Sequence, residues 1–137
     1  MNVAVRYFTR TGNTEKLAKA VAEAVGVKAL SVGTPLEERA DILFLGSSYY
    51  AFDVDEAVKA FIQSNRANIG KIVCVGSSAM MKSMQKPVKK VADAVGVQVA
   101  QEEFHCRGRF KVAHKGRPNA DDLARAAAFA KSVLAQK

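Results

Sequence analysis

Two periodicities alternate along the chain. Residues 3–8 form a short run of branched and aromatic side chains, the pattern of a strand. A turn rich in Thr and Gly follows over residues 9–14. Leu17, Val21, Ala24 and Val25 then recur at helical spacing until Gly26 stops the helix. Residues 28–32 suit a short second strand, and residues 35–39 a polar connection or a single helical turn. Residues 41–48, DILFLGSS, are almost continuously apolar before ending in small polar side chains, as in a strand buried on both faces. Val54, Ala57, Val58, Phe61 and Ile62 mark a second amphipathic helix. Residues 71–78, KIVCVGSS, repeat the buried-strand pattern with the same ending. Met84, Val88, Val91, Ala92 and Val95 mark a third helix, which tolerates Pro87 only in its first turn. Residues 97–104 alternate polar and apolar, which predicts an edge strand. Leu123, Ala126, Ala127, Ala130, Val133 and Leu134 form the last helical stripe, with Asn119 as its N-cap.

Strand and helix thus alternate about five times. That predicts an α/β fold with a parallel sheet and helices on both faces. The 137 residues carry no linker or low-complexity tract, so a single domain over residues 1–137 is expected. Hydrophobic residues make up 49% and charged residues 25%, which excludes a disordered or collagen-like chain. Cys74 lies in an apolar run and reads as a core-packed thiol; no Cys/His cluster has metal-ligand spacing. No apolar run approaches the ~18 residues of a membrane span, and no leader pattern opens the chain. A cytoplasmic protein is expected.

In open α/β sheets, ligands bind beyond the carboxyl ends of the strands. Three loops belong there: residues 9–14, 47–53 and 77–85, all rich in small hydroxyl residues or aromatics. The first, TRTGNT, joins a strand to a helix. Its hydroxyls, the close approach allowed by Gly12 and the N–H groups of the helix start make a cradle for a phosphate. It has neither Walker nor GxGxxG spacing. The same residues also spell an ordinary capped helix start, with Thr11 or Asn13 as the cap. Tyr49, Tyr50 and Phe52 crowd the second loop, a surface suited to a flat apolar ring.

TRTGNTEKLAKAV after VAVRYF resembles the phosphate loop of the flavodoxins, Ser/Thr-x-Thr-Gly-Asn-Thr followed by a helix. Thr9, Thr11, Gly12, Asn13 and Thr14 match that pattern position by position. DILFLGSSYY and KIVCVGSSAM are similar to the family's third and fourth strands with their flavin loops. The resemblance covers almost the whole chain and implies a short-chain flavodoxin-like fold, a five-stranded parallel sheet of order 2-1-3-4-5. It also implies bound FMN. Thr9, Arg10, Thr11, Gly12, Asn13 and Thr14 would hold the phosphate. Ser48, Tyr49, Tyr50, Ala51 and Phe52 would line one side of the flavin ring, and Ser77, Ser78, Ala79 and Met80 the other. The implied role is electron transfer between redox partners, cycling through semiquinone and hydroquinone, with no residue serving as acid, base or nucleophile. The alternative is an FMN-dependent oxidoreductase acting on a quinone, a porphyrin or NAD(P)H.

One departure from the family is charge. Flavodoxins are usually acidic, whereas this chain carries a net +8. Residues 1–68 balance, so the excess lies in residues 69–137, notably Lys82, Lys86, Lys89, Lys90 and the acid-free segment 105–119. A redox partner with an acidic docking surface is therefore expected, together with a less negative second reduction step. Cys106 in that segment reads as a reactive thiol or a buried anchor, and His105 and His114 as surface or loop residues. A phosphorylated receiver would need acids where Phe8-Thr9 and Ser47-Ser48 stand. A nucleic-acid binder lacks any recognition motif beyond charge.

Overall fold

The computed structural model describes residues 1–9, 12–48, 54–77, 85–106 and 119–136. Five parallel strands form one sheet: β1 (Val3–Tyr7), β2 (Ala29–Ser31), β3 (Ile42–Ser48), β4 (Lys71–Ser77) and β5 (Gln98–Cys106). Their order is β2-β1-β3-β4-β5, which places the last strand at an edge as its mixed pattern predicts. The helices are α1 (Asn13–Val25), α2 (Glu56–Ser64), α3 (Gln85–Ala94) and α4 (Ala120–Ala135).

Alternation along the strands divides the core in two. Val5, Phe44, Val73, Val75 and Phe104 pack with α1 and α4 on one face. Leu43, Leu45, Ile72 and Cys74 pack with α2 and α3 on the other. β3 and β4 are consequently buried on both sides, which is why they read as unbroken apolar runs. Each large side chain there contributes roughly 1.5–3 kcal/mol by leaving water. Cys74 is fully buried, and burial pushes its thiol pKa well up.

The helix ends follow local chemistry. Gly26 adopts φ 78° and donates back to Ala22 and Glu23, while the Val27 N–H bonds the Ala22 carbonyl at 3.0 Å. At α4, the Asn119 side chain accepts from the Asp122 N–H at 3.0 Å, and Asp122 accepts from the Asn119 N–H at 2.8 Å. This is the cap predicted from sequence, completed by a reciprocal bond. Pro87 is the third residue of α3, within its first turn.

Three expectations need correction. Residues 32–41 contain no helix, not even one turn, so the β2–β3 connection breaks the strand–helix alternation. Leu36 is the one fully apolar anchor of its turn-rich middle, GTPLEER, which cannot supply a helical stripe. The segment is instead pinned by single bonds: Leu36 N–H to Asn65 Oδ1 at 2.9 Å, and Asn68 Nδ2 to the Leu36 carbonyl at 3.2 Å. The last strand runs to Cys106, so His105 is a strand residue and not a loop residue. Finally, the first helix buries Leu17 and Val21 as expected and packs Val25 partly against the core, but Ala18 and Ala22 are buried where Ala24 was expected.

Candidate functional site

The site begins where β1 leaves the sheet. Phe8 still bonds β3, its N–H to the Gly46 carbonyl at 3.0 Å. The chain then turns back into α1. Thr9 Oγ1 accepts from the backbone N–H of Gly12 at 2.8 Å. An oxygen that accepts there retains its own hydroxyl hydrogen for a further acceptor. Gly12, at φ 87°, is the N-cap of α1 and supplies no side-chain bond. The N-cap position is therefore not Asn13, which was one of the two expected; the other, Thr11, lies outside the described residues. Asn13 opens the helix, and Asn13 and Thr14 are both buried in its first turn. A Cβ on Gly12 would meet no atom within 4 Å, so the space beside the helix start is open there. The N–H dipoles of the helix start point toward it.

Gly46 sets the height of this turn. A Cβ there would lie 3.0 Å from Thr14 Cγ2 and 3.2 Å from Tyr7 Cβ. The missing side chain lets the first turn of α1 sit directly on β1 and β3. The sequence reading did not single out Gly46; its position before two serines at a strand end was the available signal.

The charges around the helix start are arranged in a chain. Tyr7 donates from its hydroxyl to Glu15 Oε2 at 3.2 Å, and Lys19 pairs with the same oxygen at 3.0 Å. The bond from Lys19, with help from Tyr7, lowers the Glu15 pKa. Desolvation first, then Glu15, raises that of Tyr7, and the bond to Glu15 raises that of Lys19. An acid in the first turn suits the helix dipole, and Lys19 offsets its charge.

The two other loops start side by side. Ser48 and Ser77 are register partners at the ends of β3 and β4, preceded by the pair Ser47 and Gly76. β5 joins them, with Gly76 opposite His105 and Ser77 opposite Cys106. Thr9, Gly12, Asn13 and Thr14 thus gather at the start of α1, and Ser48 and Ser77 at adjacent strand ends of the same sheet edge. Arg10, Thr11, Tyr49, Tyr50, Ala51, Phe52, Ser78, Ala79 and Met80 lie outside the described residues, as do Lys82, Met84 and residues 107–118.

His105 is a feature that the sequence reading misjudged. Both ring nitrogens are buried and have no hydrogen-bond partner among the described residues. Burial lowers its pKa, opposed by the charge of Glu103. On α3, Lys86 and Lys90 are exposed, while Lys89 pairs with Asp93 at 3.1 Å. Among the described residues no helix is long and apolar enough to cross a membrane.

No protein-family model matches the chain. An uncharacterised protein of Methanocaldococcus jannaschii is 27% identical over 135 residues, spanning 89% of this chain and 90% of the relative. Among solved structures, a flavodoxin from the domain Archaea superimposes with a TM-score of 0.79 at 15% identity, covering 99% of this chain and 98% of that one. Oxidised flavodoxin 2 from Bacillus cereus gives 0.71 at 15% identity, with both chains covered in full. The chain has the flavodoxin fold.

Proposed function

We propose that this chain is a single-domain electron carrier that binds FMN at the carboxyl edge of its sheet. The observation that carries the reading is the bond from the Gly12 N–H to Thr9 Oγ1, which sets a threonine hydroxyl beside the N-terminus of α1. A phosphate fits that donor set, which offers N–H dipoles and a threonine hydroxyl, with the nearby Glu15 carboxylate paired to Lys19. The residues assigned to the phosphate are Thr9, Arg10, Thr11, Gly12, Asn13 and Thr14. Those assigned to the ring are Ser48 to Phe52 on one side and Ser77 to Met80 on the other.

FMN supplies the electron chemistry when bound. The chain's own residues bind and orient it. Gly46 seats α1 so that its first turn faces the phosphate, and paired Ser48 and Ser77 launch the two ring loops in parallel. Exposed Lys86 and Lys90 lie on the helix that follows the second loop. They favour negative charge arriving at this edge and an approaching acidic surface, which supports a partner of that sign.

The test is an absorbance titration of the apoprotein with FMN, followed by stepwise reduction without oxygen. One tight equivalent, then two separated one-electron steps, supports the carrier. Uptake followed by one two-electron step supports the oxidoreductase instead. No uptake removes both readings and leaves the Thr9–Gly12 bond as part of an ordinary helix start.

A further inference from the structure

On the face shared with α2 and α3, no helix among the described residues covers β1 and β2. Parallel strands are usually joined by a helix that covers the sheet, but residues 32–41 contain no helix and, beyond an isolated bridge from Ala40 to Ile69, no strand pairing. Beneath them lies a cavity of about 620 Å³, open to solvent, with the side chain of Arg6 in its wall. Arg6 projects from β1 and is 8% exposed. Its guanidinium donates from Nε to the Thr34 carbonyl at 2.9 Å, from Nη1 to Val5 at 3.1 Å and from Nη2 to Pro35 at 3.3 Å. All three acceptors are neutral. One N–H on each terminal nitrogen has no acceptor among the described residues, and no carboxylate pairs with the group.

A buried charge bonded to carbonyl dipoles, with Glu37 acting on it only from beyond ion-pair distance, is incompletely compensated. Lys28 and Arg39 line the same cavity, against exposed Glu37 and Glu38. Burial pulls the Arg6 pKa down, and the charge of Glu37 opposes this. Arginine nevertheless remains a cation. Its planar fork matches oxyanions, and the cavity has the size of a small-molecule site. None of the residues assigned to FMN lines it.

We propose that this cavity is a second ligand site, which takes a small oxyanion, a carboxylate or a phosphate, on the guanidinium of Arg6. Lys28 adds attraction. Glu37 weakens binding by repulsion. The site is independent of the flavin reading, and its occupancy changes neither the Thr9 turn nor FMN uptake.

The experiment follows the Arg6 Nε–Hε resonance in full-length protein while inorganic phosphate, acetate or chloride is added at constant ionic strength. A saturable shift with phosphate alone assigns a phosphate ligand, one with acetate alone a carboxylate, and one with both a general oxyanion site. Glu37→Gln should tighten binding, and Arg6→Met should weaken it about tenfold or more. Should Arg6→Met not fold, Lys28→Gln on the exposed rim provides the weakening variant. No saturable shift, an equal response to chloride, or unchanged affinity in Glu37→Gln overturns the proposal. FMN titration of the same samples keeps this result separate from the flavin reading.

Discussion

Thr9 Oγ1 and the Gly12 N–H, 2.8 Å apart, close the turn that starts α1. This bond holds the loop in place while leaving the threonine hydrogen available to a ligand. Thr9→Val keeps the shape of the side chain and removes both functions. FMN affinity should fall about tenfold, with a stability loss of roughly 1 kcal/mol. Fluorescence titration and denaturant unfolding measure the two separately. Unchanged affinity would show that Thr9 serves only to hold the Gly12 N–H at the helix start.

Gly46 has a different role, because it acts through packing. Gly46→Ala places a methyl group 3.0 Å from Thr14 Cγ2. The first turn of α1 must then move outward, at a cost of about 1–3 kcal/mol. The variant should also bind FMN more weakly, although residue 46 is not assigned to the ligand. A stability loss without any change in FMN affinity would uncouple Gly46 from the site.

His105 governs an acid-side prediction. Its folded pKa lies below the unfolded value of about 6.5. The unfolded chain therefore binds more protons as pH falls through that value. Stability should decline below about pH 6.5 and level off once the folded protein also protonates. His105→Leu should flatten this limb. It should also stabilise the protein near neutral pH by about 1 kcal/mol, because two unpartnered buried nitrogens disappear. Urea midpoints across pH 5–8 give the comparison; parallel curves for both proteins would contradict it.

The lysines of α3 predict a potential. Lys86→Glu with Lys90→Glu reverses two exposed charges near the carboxyl edge. The second reduction potential of the FMN-loaded protein should become more negative. The shift should shrink with added salt, since the screening length falls from ~30 Å at 0.01 M to ~8 Å at 0.15 M. Potentiometry at both ionic strengths checks the sign and the salt dependence. A shift independent of salt would assign the effect to altered structure.

Elements fixed by side-chain pattern were legible before any coordinates. DILFLGSS and KIVCVGSS read as strands buried on both faces, and Asn119 as the candidate N-cap of α4, and both are so. The resemblance carried by TRTGNT gave the sheet order. Features that depend on partners distant in sequence were not legible. Arg6 looks like a misplaced charge in VAVRYF until the Thr34 and Pro35 carbonyls, 28 and 29 residues away, receive it. The missing helix before β3 is held by Asn65 and Asn68, which no local rule connects to Leu36. His105 was misread because the strand continues past Phe104, beyond a register shift in β5 between the partners of Ile72 and Cys74.

The central claim is that the start of α1 is a phosphate site. The direct measurement compares the affinity of the apoprotein for FMN with that for riboflavin, which has the same ring and lacks the phosphate. Two or more charge-assisted bonds predict FMN binding tighter by about a hundredfold or more. Equal affinities would mean that the Thr9 turn holds no phosphate, and would contradict the account at its foundation.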